Sequence, residues 1–509
     1  MAYFLLYQAL SLALLWILLE RLCRSPARAR WTLALVVAAG VVAQFVLWAR
    51  SAPDLENPDS QGFWRIGHGL ETDLRALLYR PKLYPLFLGL FHAPKAAAFA
   101  QCLLKLSMAG WIARAGRALA WRPAATAFAL ALFLFDNLWL REPLKIFDTT
   151  VFAFLFLGAM VLALETILRP SPARFSFGSA RFSFGSARFA AFCGIAGLAS
   201  LCRQVTDPFL LLAGVACFAR VISTRSQNRP QSRQQNPAER QVVNEVAASV
   251  AVVAGLFLAA SGALANGLAH GSYQRSIALG VNVYTHYAYY ELNDPAAPEW
   301  DFVAARLPGI REELPAWRTG WRYDMPWPVN AMPHRLERKL GSADVTEIRA
   351  ADALLTARAL AGMRGKPARY LGAFGNEAAR LLCKCEGDYP VALIARGESA
   401  RRLERGLTHL PLWLLAVAGC LGCILGRGRR VALALPLACG LGYLALVAAI
   451  QVGLCRYGLP AWPVLLIPAG EAFSRLAAGP APEPRTIASP GKSQGSWGDD
   501  ENPPQGRED

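Results

Sequence analysis

The sequence predicts an all-α polytopic membrane protein with about eleven transmembrane helices and an extracytoplasmic α or α/β domain. Apolar residues make up 54% of the 509 residues and charged residues only 17%. The apolar residues are grouped in blocks of roughly 18–22, long enough to cross a hydrocarbon core of about 30 Å. Arginine-rich segments separate many of these blocks, as in cytoplasmic loops. One long polar segment, near the middle of the chain, is expected outside.

The predicted elements alternate in direction from the N terminus. Phe4–Leu22 is followed by arginines rather than preceded by them, the reverse of a cleavable signal peptide. We therefore expect a retained helix with its N terminus outside. Trp31–Trp48 then runs outward and delivers a first outer loop, residues 49–95. Within this loop Leu83–Phe91 is too short to span and is expected to lie in the interface or to re-enter.

The later blocks continue the alternation. They are Ala96–Ile112, Ala124–Leu140, Thr149–Leu168, Phe189–Cys202, Phe209–Ala219, Val242–Leu264, Leu410–Leu425, Val431–Val452 and Tyr457–Phe473. The duplicated stretch ARFSFGSARFSFGSARF is interpreted as a basic aromatic cytoplasmic loop. The chain divides into an N-terminal transmembrane region (1–266), an extracytoplasmic domain (267–407), C-terminal transmembrane helices (408–478) and a cytoplasmic tail (479–509) expected to be disordered.

The charge and the cysteines exclude other classes of protein. The formal charge of +17 does not indicate nucleic-acid binding, because the arginines lie between apolar blocks and no nucleic-acid motif accompanies them. Most of the eleven cysteines lie inside apolar blocks, where cysteine behaves as a small hydrophobe. Neither a zinc motif nor a glycine-rich phosphate loop is evident, so no metal site and no nucleotide site are predicted.

Charged residues that break the positive-inside pattern lie in four outer turns. These are Asp59, Arg80 and Lys82 in the first, Arg141, Glu142, Lys145 and Asp148 in the second, Arg203 and Asp207 in the third, and Arg456 in the last. Charges near hydrocarbon are costly and usually pair or line a site. Cations can stabilise a departing phosphate, and a carboxylate can accept a proton from an attacking hydroxyl. The turns therefore predict a charged site at the outer face, an arrangement that a lipid-borne phosphate would need.

The stretch DSQGFWRIGHGLETDLRALLYRPKLYPLFLGL, residues 59–90, resembles the first outer loop of GT-C glycosyltransferases, polytopic enzymes that take a sugar from a polyprenyl-phosphate carrier. Three further segments, LREPLKIFDTTVFAFLFLGA, GLASLCRQVTDPFLLLAG and RYGLPAWPVLLIPAG, are similar to later segments of that superfamily. It includes dolichyl-phosphate-mannose-protein mannosyltransferases and aminoarabinose transferases. The resemblance covers residues 50–220 and 410–475. Phe63 and Gly67 depart from the usual tyrosine and alanine.

The resemblance implies transfer of a monosaccharide, with inversion, to an acceptor outside a bacterial-type inner (plasma) membrane of the cell envelope. Its residue roles are Asp59 as general base, Arg80, Lys82, Lys145, Arg203 and Arg456 at the donor phosphate, and Glu56, Asp148, Tyr84 and Tyr457 as additional candidates. The expected partners are a polyprenyl-phosphate sugar, membrane lipids and a glycan, lipid or protein acceptor. No cofactor is implied besides the lipid-linked sugar, and a requirement for a divalent metal is left open.

Alternatives remain for single residues and for the function. Asp59 can cap a helix instead, in which case Asp54 or Glu56 supplies the base. Arg456 can anchor a helix end by snorkelling, and Lys145 and Arg203 can form structural ion pairs. A lipid-linked glycan polymerase or ligase would use the same turns. A transporter or flippase predicts repeated helices and charge at mid-membrane depth, and we find neither in the sequence.

Overall fold

The structure is a computed structural model. It describes residues 2–476 except 54, 56–57, 169–173, 178–179, 228–236, 275, 293, 295, 314–326, 342–343, 384–411, 427 and 451–454. Helices account for 84% of the residues described, so the helical class that the sequence predicts is confirmed.

The α-helices follow one another with short connections. In chain order they are α1 (Ala2–Leu22), α2 (Pro26–Arg50), α3 (Pro58–Gly67), α4 (Leu74–Tyr79), α5 (Leu83–Leu88), α6 (Pro94–Ala118), α7 (Pro123–Phe135), α8 (Asn137–Arg141), α9 (Thr149–Leu168), α10 (Phe184–Cys202), α11 (Asp207–Gln227), α12 (Pro237–His270), α13 (Leu279–Glu291), α14 (Glu299–Ala304), α15 (Ile310–Glu313), α16 (Trp327–Leu340), α17 (Val345–Gly365), α18 (Pro367–Cys383), α19 (Leu412–Leu425), α20 (Arg430–Ile450), α21 (Cys455–Gly458) and α22 (Ala461–Leu476). Several begin at proline, whose missing N–H costs nothing in a first turn.

Five helical stretches in the described part of the chain are long and apolar enough to cross a membrane. They are Pro26–Arg50, Pro94–Ala118, Thr149–Leu168, Ala248–His270 and Arg430–Ile450. Three shorter apolar helices, Ala187–Cys202, Gln204–Ala219 and Leu412–Leu425, fall below that length. Several helices able to span are consistent with a membrane protein, whereas the count of eleven spans stays a prediction.

The block Ala124–Leu140 is not the single straight helix that the sequence predicts. Pro123–Phe135 and Leu138–Leu144 meet at an angle of 58°, and they make a sixth candidate span only if they are counted together. The break lies at Asp136, whose carboxylate accepts a hydrogen bond from the backbone N–H of Trp139 at 3.1 Å. Aspartate at this position starts a new helix because it satisfies a free N–H of the first turn.

Helix α9 lies at the centre of the membrane part. Nearly all of its side chains are buried, and it packs against α6, α10, α11 and α20. Helices α10 and α12 approach closely, since a Cβ atom on Gly197 would lie 2.5 Å from the carbonyl oxygen of Gly255. Small residues at such a crossing let two backbones pack within a membrane.

Helices α13–α18 lie in the segment that the sequence predicts as an extracytoplasmic domain, here called the outer domain, and every described element in it is a helix. Helix α13 packs between α16 and α17. The domain rests on the first outer loop, because Ile277 donates its N–H to the carbonyl of Leu78 at 3.1 Å. Ser276 donates to the carbonyl of Tyr79 at 2.6 Å. These bonds hold the domain over α4.

The duplicated stretch forms the only strands described. Strands β1 (Arg174–Phe177) and β2 (Ala180–Ser183) pair antiparallel, with Phe175 opposite Phe182. The first copy of the repeat supplies β1, and the next begins with β2. The expected cytoplasmic loop is therefore a short hairpin that leads directly into α10.

Candidate active site at the outer turns

One cavity of about 480 Å³ collects residues from all four outer turns. Its lining includes Asp59 and Arg80 from the first turn, Asp148 from the second, Arg203 and Gln204 from the third, and Tyr457 from the last. Ser276 and Asn282 contribute from the outer domain, and Tyr443 from α20. Segments separated by almost 400 residues thus meet at one place, which sequence spacing alone does not require.

Arg203 and Asp148 form a two-point ion pair in the cavity wall. The Nε atom of Arg203 donates to Oδ2 of Asp148 at 2.8 Å and its Nη2 atom to Oδ1 at 2.5 Å. Nη1 also donates to the hydroxyl of Tyr443 at 3.1 Å, and the guanidinium lies between the rings of Phe152 and Tyr457. The ion pair that the sequence left open for Arg203 is therefore present, and it fixes a cation at the cavity.

Local structure explains why these two groups meet. Asp148 directly precedes α9 and accepts the N–H of Phe152 at its backbone carbonyl, which begins that helix. Arg203 follows the last residue of α10, and its backbone is extended rather than helical. Its side chain therefore does not continue along the surface of α10. Since α9 and α10 pack together, the two ends lie next to each other.

Asp59 and Arg80 form a second pair on the first outer loop. Nη2 of Arg80 donates to Oδ1 of Asp59 at 3.3 Å, and Nη1 donates to the backbone carbonyl of Asp59 at 3.1 Å. The guanidinium lies 4.4 Å from the ring centre of Phe63. The Asp59 side chain is 47% exposed, whereas that of Arg80 is 18% exposed. Asp59 lies within the first turn of α3 rather than at its cap, so its carboxylate faces the cavity with Arg80 as a neighbour.

Three predicted site residues lie elsewhere. Lys82 donates to the carbonyl of Leu77 at 2.7 Å, and burial lowers the pKa of its ammonium group. Nζ of Lys145 lies 3.8 Å from Oε2 of Glu142, as expected for a structural ion pair. Tyr84 is fully buried and donates to Oε1 of Gln101 at 3.2 Å. None of the three is among the residues that line the cavity.

Two predicted site residues cannot be placed. Glu56, like the alternative base Asp54, lies outside the described residues. Arg456 belongs to α21, but its side chain is outside the described part of the chain. Their roles stay predictions.

Gln204, Asn282, Ser276 and Tyr443 line the cavity without having been predicted from the sequence. The Nε2 atom of Gln204 is buried and has no hydrogen-bond partner among the residues that the structure describes. A buried amide donor normally has a partner, so this side chain suits a polar ligand. Its position next to Arg203 was the one available signal, whereas Asn282 reaches the cavity only because the outer domain folds back onto α4.

An apolar groove of about 820 Å³ adjoins the polar cavity. Helices α10, α11 and α12 form it with side chains that include Phe189, Phe192, Leu210, Leu211, Val253 and Leu256. Pro208 lines both the groove and the cavity. At the same end Ser200 donates to Oδ1 of Asp207 at 2.6 Å. Leu211, Val253 and Leu256 are exposed, so the groove opens on an apolar face of the bundle.

The fold and the cavity define a helical protein that has several helices long and apolar enough to span a membrane and a charged site at one end of its bundle. No family model, curated protein or solved structure matches the chain. Among the described residues, no group of three or more histidine, cysteine, aspartate or glutamate side chains is arranged to hold a metal ion.

Proposed function

We propose that this protein is an integral membrane glycosyltransferase that moves a monosaccharide from a polyprenyl-phosphate donor to an acceptor on the extracytoplasmic side. The observation that supports it best is the meeting of Asp59, Arg80, Asp148 and Arg203 in one cavity that shares Pro208 with an apolar groove. A ligand with a charged head and a long apolar tail fits this combination. The resemblance of the four outer segments to GT-C enzymes adds the reaction type.

The apolar groove supplies the site for the polyprenyl tail. Each buried methylene of such a chain contributes about 0.8 kcal/mol of binding free energy, so a groove lined by aromatic and aliphatic side chains retains the donor at the membrane face. Because the groove opens on an exposed apolar face, the donor enters sideways from the bilayer. The shared Pro208 then places the phosphate next to Arg203.

Arg203 stabilises the leaving phosphate. When the bond between the anomeric carbon and the phosphate oxygen breaks, its electron pair stays on the phosphate, whose negative charge increases. A guanidinium held in place can stabilise that charge by several kcal/mol more than in water. The two-point bond to Asp148 fixes Arg203, so the cation needs no reorganisation during the reaction.

Asp59 accepts the proton of the acceptor hydroxyl as its oxygen attacks the anomeric carbon. Its carboxylate is the more exposed partner of the pair with Arg80, so an acceptor can reach it from the cavity. Arg80 orients the carboxylate, and the polar side chains of Ser276 and Asn282 lie on the outer-domain wall, where an acceptor enters. Attack opposite to the phosphate inverts the anomeric configuration.

The test uses purified protein in lipid nanodiscs with polyprenyl-phosphate sugars that carry different monosaccharides. Mass spectrometry of envelope lipids and glycans from cells with and without the gene identifies which sugar and acceptor to supply. We expect release of polyprenyl phosphate together with a singly glycosylated acceptor. Transfer of a preassembled glycan would indicate the ligase alternative. Movement of the intact donor across the bilayer without release of polyprenyl phosphate would overturn the proposal in favour of a flippase.

A further inference from the structure

Helix α6 contains two polar side chains with no exposure, Gln101 and Lys105, in a helix otherwise apolar enough to span a membrane. Polar groups are expensive at such positions and are usually retained for a purpose. Neither residue lines the cavity.

Gln101 uses its amide to join the first and second outer loops. Its Oε1 atom accepts the hydroxyl of Tyr84 at 3.2 Å. Its Nε2 atom donates to the carbonyl of Pro143 at 3.1 Å and to that of Lys145 at 2.8 Å. Both N–H groups and the oxygen thereby bind two segments that the chain connects only by way of α6, α7 and α8.

Each of these segments leads to one half of the cavity. The ring of Tyr84 packs edge-on against Phe63 at 5.0 Å, and Phe63 lies beneath the guanidinium of Arg80. On the other side, Lys145 precedes Asp148 by three residues, and Asp148 holds Arg203. Gln101 therefore stands between the Asp59–Arg80 pair and the Asp148–Arg203 pair.

Lys105 supports the same loop one helical turn further along α6. Its Nζ atom donates to the carbonyl of Leu134 at 3.0 Å and to Oε1 of Gln44 at 2.8 Å. Gln44 in turn donates to the carbonyl of Leu140 at 3.1 Å. These two carbonyls lie on either side of the break at Asp136, where the regular helical hydrogen bonding is interrupted. In a membrane such groups must be satisfied by neighbouring helices.

We infer that Gln101 is a positioning residue that sets the distance between the two charged pairs of the cavity, with Lys105 and Gln44 fixing the loop on which Asp148 lies. Gln101 touches no substrate. It acts through Tyr84 on one side and through the backbone of 143–145 on the other. The kinetic part of this inference rests on the proposed glycosyl transfer, whereas the structural part does not.

The test compares Gln101→Leu, which removes all three bonds, with Tyr84→Phe, which removes only the link to the first loop. Asn266→Leu is the control, because Asn266 is equally buried and its amide donates to the carbonyl of Gln274 at 2.7 Å, away from the second loop. The first measurement is hydrogen–deuterium exchange of peptides covering 83–91 and 141–149 in the substrate-free protein.

We expect Gln101→Leu to accelerate amide exchange in 141–149 about tenfold or more. The carbonyls of Pro143 and Lys145 lose the donor that holds this loop in place, so the loop opens more often. Asn266→Leu should leave this peptide unchanged. Unaltered exchange in 141–149 in the Gln101 variant would overturn the inference, whether or not sugar transfer is observed. If Gln101→Leu fails to fold, Tyr84→Phe tests the hydrogen bond between Gln101 and the first loop. Faster amide exchange of 83–91 in that variant would support the inference, and unaltered exchange would count against it.

The second measurement is steady-state transfer. A misplacement of about 1 Å can lower a rate about 10²-fold, so Gln101→Leu should lower kcat about 10- to 100-fold while KM for the donor changes less than about threefold. Tyr84→Phe should lower kcat less, and the double variant should resemble Gln101→Leu alone, since the two residues share one interaction. If the losses of kcat in Gln101→Leu and Tyr84→Phe added up in the double variant, or if Asn266→Leu lost as much kcat as Gln101→Leu, Gln101 would have only a packing role. A wild-type protein without transfer activity would refute the proposed function and leave the exchange result to decide the positioning role.

Discussion

At the scale of single residues, the cavity contains two carboxylate–guanidinium pairs that differ in exposure. The Asp148–Arg203 pair is largely buried, with 14% and 11% of the side chains exposed, whereas Asp59 is 47% exposed. A shielded pair holds a cation rigidly, and an accessible carboxylate can exchange a proton with a ligand. The difference in burial assigns the two pairs to different tasks.

Asp59→Asn should lower sugar transfer by about 10²–10⁴, because an amide cannot accept the proton of the acceptor hydroxyl. The amide still accepts a hydrogen bond from Arg80, so membrane insertion and folding should persist. Transfer by the purified variant is the measurement, with Asp54→Asn and Glu56→Gln as neighbouring controls. An active Asp59→Asn beside an inactive Glu56→Gln would move the base to Glu56.

Gly62→Ala should displace Arg80. A Cβ atom at position 62 would lie 2.6 Å from Nη2 of Arg80, and the long arginine side chain yields more easily than the backbone of α3. We expect a loss of activity of about tenfold or more with little change in thermal stability. Gly110→Ala in α6 is the matched control, since nothing lies within 4 Å of its Cβ. Equal activity of the two variants would argue against a role for the Asp59–Arg80 geometry.

Arg203→Ala should lower transfer by about two orders of magnitude or more, because it removes the cation that we propose stabilises the leaving phosphate. It should also destabilise the protein, since Asp148 loses its buried partner. Arg203→Lys should recover only part, because an ammonium lacks the planar fork that bonds both oxygens of Asp148. Transfer rates and melting temperatures of both variants test this, and full activity of Arg203→Ala would exclude the role.

At the scale of elements, the contact between α4 and α16 contains a buried acid. Nε of Arg75 lies 3.6 Å from Oε2 of Glu337, and the Glu337 side chain is fully buried at this contact. Burial raises the pKa of Glu337 to about 7, although Tyr79 and Arg75 act in the opposite direction. Because Tyr79 also lines the cavity, this contact connects the outer domain to the site.

The raised pKa of Glu337 gives a stability that depends on pH with a definite sign. The folded protein binds the proton of Glu337 more tightly than the unfolded chain does. Its contribution to the free energy of unfolding is therefore complete below about pH 4.5 and is lost as the pH rises through about 7. Glu337→Gln should therefore flatten the change in melting temperature between pH 5 and about 7.5. The exposed Glu347→Gln on α17 is the control and should behave as wild type. Identical pH curves for Glu337→Gln and wild type would contradict the assignment.

At the scale of the whole molecule, the predicted topology places the cavity and the outer domain on the same side of the membrane. In a cysteine-free background, single cysteines at exposed positions in 280–383, such as Lys339 and Glu347, should react with a membrane-impermeant reagent added from outside. Cysteines in 225–240 should not react until the membrane is permeabilised. Labelling of the 225–240 segment from outside would reverse the orientation and remove the site from the outer face.

The helical class, the positions of most apolar helices and the four charged turns could be predicted from the sequence alone. These depend on local composition and on the length needed to cross a bilayer. The sequence also singled out Asp59, Arg80, Asp148 and Arg203, because charge beside apolar blocks is rare enough to be noticed, and it singled out Tyr457 through the GT-C resemblance. All five line the cavity.

Which of the charged residues meet in the cavity depends on how the helices pack, and the sequence does not show it. Lys82, Lys145 and Tyr84 have the same local sequence signals as the cavity residues, but their side chains turn toward Leu77, Glu142 and Gln101. The direction of a side chain depends on which helix packs beside it. Because that helix can be distant in the sequence, the residues near a side chain do not reveal its direction. For the same reason Gln101, which looks like an ordinary polar residue in an apolar helix, shows its connection to both loops only after α6 has packed between them.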